Sequence, residues 1–102
     1  MMKILLVCSA GMSTSLMVEK MKAAAEEQGI DADISASAEA DLAVNMDGVS
    51  IVLLGPQVRY LLPKMQAVVP AGVPVEVINS LDYGMMNGAG VLQYAVAKIQ
   101  KG

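Results

Sequence analysis

The chain of 102 residues is long enough for one hydrophobic core and too short for two domains, and its 55% apolar content lies well above the disordered range. Three tyrosines are its only aromatic residues, its net charge is −3 and it has no basic cluster, which argues against nucleic acid or an anionic membrane as partner. A lone cysteine, Cys8, excludes an internal disulfide, and the absence of histidine excludes histidine catalysis and makes zinc hard to hold, so neither metal nor cofactor is expected.

No apolar run reaches the roughly 18 residues of a membrane-spanning helix, and the N-terminus lacks the three-part pattern of a signal peptide. The expectation is one cytoplasmic domain over residues 1–102, without direct membrane insertion. The acids between Glu19 and Asp47 outnumber Lys20 and Lys22 and mark a solvated side.

Lys3 to Val7 is a short apolar run that stops at Cys8-Ser9-Ala10-Gly11, as a buried parallel strand does. Ser13, Thr14 and Ser15 offer helix caps, and Met17, Met21 and Ala24 follow at helical spacing until Gly29 closes the segment. Ala32, Ile34 and Ala36 alternate with Asp33, Ser35 and Ser37, which predicts an edge strand buried on one face. Ala38 to Asn45 predicts a short helix, and Asn45 to Gly48 a turn.

Ile51 to Leu54 is a second fully apolar strand, ending at Gly55-Pro56-Gln57. Val58, Leu61, Leu62 and Met65 then share a helical face, with Pro63 expected to kink or restart that helix. Val75 to Ile78 reads as a fourth strand, Asn79 to Gly90 as a loop, and Leu92, Ala95, Val96 and Ile99 as the apolar face of a final helix.

Strands alternating with helices predict an α/β three-layer sandwich, a parallel sheet covered on both faces with the first and third strands central. In such sheets ligands bind beyond the carboxyl ends of the strands where strand order reverses. That edge gathers Cys8, Gly55-Pro56-Gln57 and Asn79-Ser80.

The segment Cys8-Ser9-Ala10-Gly11-Met12-Ser13-Thr14-Ser15 carries a thiol at a strand end, then a loop that runs into a helix. Unpaired N–H groups and the dipole at a helix start favour a phosphate or a thiolate, and Gly11 lets the backbone curl closely around it. The same field lowers a thiol below its free value of about 8.5 and supplies a nucleophile near neutral pH. The plain alternative is a small buried residue filling space at a strand end.

Leu6 to Ser15, Leu53 to Val58 and Pro74 to Ile78 together resemble the cellobiose/diacetylchitobiose IIB proteins of the lactose/cellobiose type, over nearly the whole chain. The resemblance implies a four-stranded sheet of order 2-1-3-4. It also implies a relay in which Cys8 takes phosphate from a phosphohistidine of a IIA protein and passes it to a sugar held by a membrane IIC transporter. The phosphoryl-binding loop would be Ser9, Ala10, Gly11, Met12, Ser13, Thr14 and Ser15, in a small monomer that meets its partners briefly.

Fold and loop also resemble low-molecular-weight tyrosine phosphatases, but Thr14 and Ser15 stand where their signature has Arg and Ser. Losing the bidentate clamp disfavours hydrolysis and suits a carrier. A phosphatase or arsenate reductase, or a regulatory module without chemistry, remain the competing readings. Asp82 reads as an exposed turn residue or a general acid, and Gln57 as lining the loop or as punctuation. Met12, Met17, Met85 and Met86 read as an adaptable apolar rim, with core filling an equal alternative for Met17.

Overall fold

A computed structural model of the chain describes residues 2–8, 12–38, 48–70 and 72–101, with positions 8, 12–14, 38 and 101 described in the main chain alone. Chain order runs β1 (Met2–Cys8), α1 (Met12–Gln28), β2 (Ala32–Ala38), β3 (Ile51–Leu54), a 3-10 helix (Pro56–Leu61), α2 (Leu62–Val68), β4 (Val75–Val77), α3 (Ser80–Gly84) and α4 (Gly88–Lys101). The strands pair in parallel in the order β2-β1-β3-β4, with the two most apolar strands in the middle as expected.

Strand periodicity divides the core in two. Ile4 and Leu6 of β1, Ile34 of β2, and Ile51 and Leu53 of β3 face α1 and α4, where Met17, Met21, Leu92 and Ala95 are fully or almost fully buried. Leu5, Val7, Val52 and Leu54 face the other way, onto Val58, Leu61 and Met65 of the 3-10 helix and α2. Both faces of the central strands are covered, so β3 and the Ile4–Val7 stretch of β1 are apolar throughout.

Helix ends follow local chemistry. Gly29, at φ 70°, ends α1: its N–H reaches Glu26 O at 3.3 Å while that of Ile30 reaches Ala25 O at 2.8 Å, the paired bonds of a glycine-terminated helix. Pro63 restarts the helix as expected, for the 3-10 segment stops at Leu61 and α2 begins at Leu62 with the proline in its first turn, where no backbone donor is needed.

Three expectations need correction. Ser37 is buried, not solvated: it pairs beside Val7 and shares the covered second face. The segment after β4 is not all loop, since Ser80–Gly84 is helical and α4 already begins at Gly88. Ala38 closes β2 and does not open a helix; the rest of the helix expected to Asn45, and the turn as far as Asp47, lie outside the described residues. Among the described residues no helix is long and apolar enough to cross a membrane.

Candidate functional site

The chain leaves β1 for β2 on one side of the sheet and then crosses back to β3 on the other, so strand order reverses between β1 and β3. The crevice of such a sheet opens at the carboxyl ends of those two strands. Cys8 is the last residue of β1, and its neighbour across the crevice is Gly55, whose N–H donates to Val7 O at 3.2 Å. The topology thus puts the chain's single thiol-bearing residue at the point where the sheet can accept a ligand.

Ser9, Ala10 and Gly11 lie outside the described residues. The main chain of Met12, Ser13, Thr14 and Ser15 forms the first turn of α1, a helix of 17 residues with no acid in that turn to offset its positive end. The Ser15 side chain is exposed and lines an open groove between α1 and β2 with Leu16, Glu19, Lys22 and Ser35.

The wall across the crevice is built from the ends of β3 and β4. The Ile78 N–H donates to Leu54 O at 2.8 Å, which carries the sheet pairing one step past β4. Asn79 then caps α3, its Oδ1 accepting from the N–H groups of Leu81 at 2.9 Å and Asp82 at 3.3 Å. The Tyr83 ring is buried in the core beside α1 and α4, and its hydroxyl accepts a hydrogen bond from Gln57 Nε2 at 3.2 Å.

Asp82 is half-buried in the first turn of α3, and its Oδ1 accepts from Asn87 Nδ2 at 3.2 Å. This is a joint between α3 and α4, which corrects the exposed turn residue expected from the sequence. Met17 belongs to the core, Met85 is 69% exposed, and Met86 packs partly buried against the core at φ 53°. Of these three, Met85 alone is left exposed. A more enclosed cleft lies between β4, α3 and α4, lined by Val77, Asn79, Asp82 and Tyr94 among others, but β3 separates it from β1 in the sheet order.

The hydrogen bond from Gln57 to Tyr83 spans 26 residues, and no spacing rule reveals it. The cap at Asn79 was open to inspection, because an Asn followed by Ser80-Leu81-Asp82 places an acid in the first turn of a helix.

Known proteins resemble this chain in sequence and in fold. The galactose-specific EIIB component of Lactococcus lactis subsp. cremoris is 45% identical over 98 residues, covering 90% of this chain and 91% of that protein. The cellobiose-specific EIIB component of Lactococcus lactis subsp. lactis is 44% identical over 98 residues with the same coverage. The solution structure of the cellobiose-specific phosphotransferase IIB component protein from Borrelia burgdorferi superposes with a TM-score of 0.80 at 44% identity, over 98% of this chain and 93% of that one. Residues 3–94 match the family described as PTS system, Lactose/Cellobiose specific IIB subunit, and with that match and these identities the chain belongs to the lactose/cellobiose IIB subunits of the sugar phosphotransferase system.

Proposed function

We propose that this chain is a single-domain phosphoryl carrier in which Cys8 is the transient covalent site. The position of Cys8 at the end of a central strand, at the reversal of strand order and just ahead of a long helix, carries this reading. The thiolate attacks the phosphorus of a phosphohistidine on a IIA protein; the S–P bond forms, the P–N bond breaks, and the imidazole leaves with the electron pair. In the second step a sugar hydroxyl held by a IIC transporter attacks the same phosphorus. The O–P bond forms, the hydroxyl proton passes to a base, and the thiolate is released.

Nothing in this sequence of steps needs a metal, and main-chain N–H groups at the mouth of α1 supply the field that favours both thiolate and phosphate. Thr14 in place of an arginine gives a neutral donor, which keeps the phosphocysteine available for transfer instead of hydrolysing it. Two of the relatives carry cellobiose in their names, which supports a β-linked disaccharide such as cellobiose or chitobiose as the acceptor, whereas the galactose-specific relative favours a monosaccharide.

Reconstitution tests the reading. With phosphoenolpyruvate, the general phosphotransferase proteins and a lactose/cellobiose-type IIA, the chain should take one phosphate on Cys8, and Cys8→Ser should take none. Labelling of the serine variant to the same extent would overturn it, and turnover of an aryl phosphate without IIA would make the chain a phosphatase.

A further inference from the structure

The geometry points to Gln57 as a positioning residue for phosphoryl transfer, pinned by the Tyr83 hydroxyl in space that Gly55 leaves open; this rests on the reading of Cys8 given above. Gly55 has φ −61° and ψ 150°, a conformation open to any residue, so the backbone does not call for glycine. The constraint comes from room: a Cβ on residue 55 would stand 2.8 Å from Gln57 Oε1 and 3.2 Å from its Cδ. The glutamine side chain folds back over the end of β3 and occupies the volume that any other residue at 55 would fill.

Its far end is fixed as well. Gln57 Nε2 donates to the hydroxyl of Tyr83 at 3.2 Å, and the Tyr83 ring is anchored in the core with Met17, Met21 and Val91. A solvent-exposed glutamine ordinarily samples many rotamers, whereas this one has its amide hydrogen-bonded to a tyrosine anchored in the core. Gly55 beneath it is bonded to Val7 O, the carbonyl next to Cys8. The amide therefore braces the turn after β3 against α3, one peptide from the strand end that bears the sulfur.

A wall held in this way fixes where an incoming phosphoryl group rests against the sulfur. Displacements well under an ångström are enough to slow an in-line transfer, even when the donor protein still docks normally. The bond should accordingly act on the rate of transfer and leave donor binding alone.

The test is single-turnover transfer from phosphorylated IIA to the wild-type chain, Gln57→Leu, Tyr83→Phe, their double variant and Gly55→Ala. Each single variant should lower the maximal rate roughly three- to ten-fold, the worth of one ordinary hydrogen bond, with the half-saturating IIA concentration unchanged. The double variant should be no slower than the slower single, because both substitutions remove the same bond. Gly55→Ala should match Gln57→Leu, since its Cβ displaces the amide. Equal maximal rates, additive losses in the double variant, or a loss confined to the half-saturating concentration would each overturn the assignment while Cys8 still took phosphate. A wild-type chain that takes no phosphate on Cys8 removes the underlying reading, and this inference with it.

Discussion

Gly88 passes so close to Lys20 that a Cβ on it would stand 2.5 Å from the Lys20 carbonyl carbon and 2.7 Å from the Met21 nitrogen. The obstacle is main chain in the middle of α1, which cannot swing aside as a side chain can. Gly88 opens α4 at the place where that helix meets α1, so the two helices approach backbone to backbone there. Gly88→Ala should push them apart and cost about 1–3 kcal/mol, the usual range for overpacking. Urea unfolding should show a lower midpoint with an unchanged slope. An unchanged midpoint would mean that α4 shifts without loss.

That contact also marks where the sequence falls silent. The apolar stretches Ile4–Val7 and Ile51–Leu54 made the central strands legible, because strand residues covered on both faces of the sheet have to be apolar. The alternation from Ala32 placed β2 at an edge, but it said nothing of Ser37, whose burial depends on the covered face beside Val7. Cys8 at a strand end before a helix pointed to the crevice from one strand boundary and one loop composition. The ends of β3 and β4 were placed at the same edge from the sequence, but the bond that joins Gln57 to Tyr83 was illegible: it is made by tertiary packing, and a glycine kept for room looks the same in sequence as one kept for a turn.

Asn87 links two helices with one amide. Its Oδ1 caps α4 by accepting from the Gly90 N–H at 3.1 Å, and its Nδ2 donates to Asp82 Oδ1 of α3 at 3.2 Å. Asn87→Ala should cost about 1 kcal/mol through the cap. Asn87→Asp is more telling, since it keeps the capping oxygen but sets a carboxylate where the donor faced Asp82. At neutral pH its stability should fall below that of wild type, and the deficit should shrink as added salt screens the repulsion between the two carboxylates. Thermal melts of both variants at low and high salt decide the point; a deficit independent of salt would show that the two acids do not meet.

Asn79 offers a local readout. Its side chain is the cap for two N–H groups of a five-residue helix, and so short a helix has little stability of its own. Asn79→Ala should speed amide exchange at Leu81 and Asp82 by roughly five- to ten-fold while amides of Leu5 and Leu53 in the sheet exchange as before, the signature of local opening. Uniform acceleration across the sheet would instead show that α3 unfolds only with the whole domain.

Tyr94 supplies a test in alkaline solution. Its hydroxyl donates to Glu76 Oε1 at 2.8 Å, and Lys98 Nζ lies 5.4 Å from the ring centre. Partial burial, then the hydrogen bond to Glu76, then the charge of that carboxylate all push the phenol above its ordinary value of 10.0. A raised value means that the folded state favours the neutral phenol. The stability this contributes is fully present below the unfolded value near 10, and is lost as the pH rises through the higher folded value. Glu76→Gln removes the charge but keeps an acceptor oxygen and leaves the burial in place, so Tyr94 should ionise at lower pH than in wild type while staying above the free phenol. Tyrosinate absorbance, differenced against Tyr94→Phe to subtract Tyr60 and Tyr83, follows the titration directly. A curve that does not move on Glu76→Gln would show that the carboxylate charge contributes nothing to the raised value, leaving burial and the hydrogen bond as its causes.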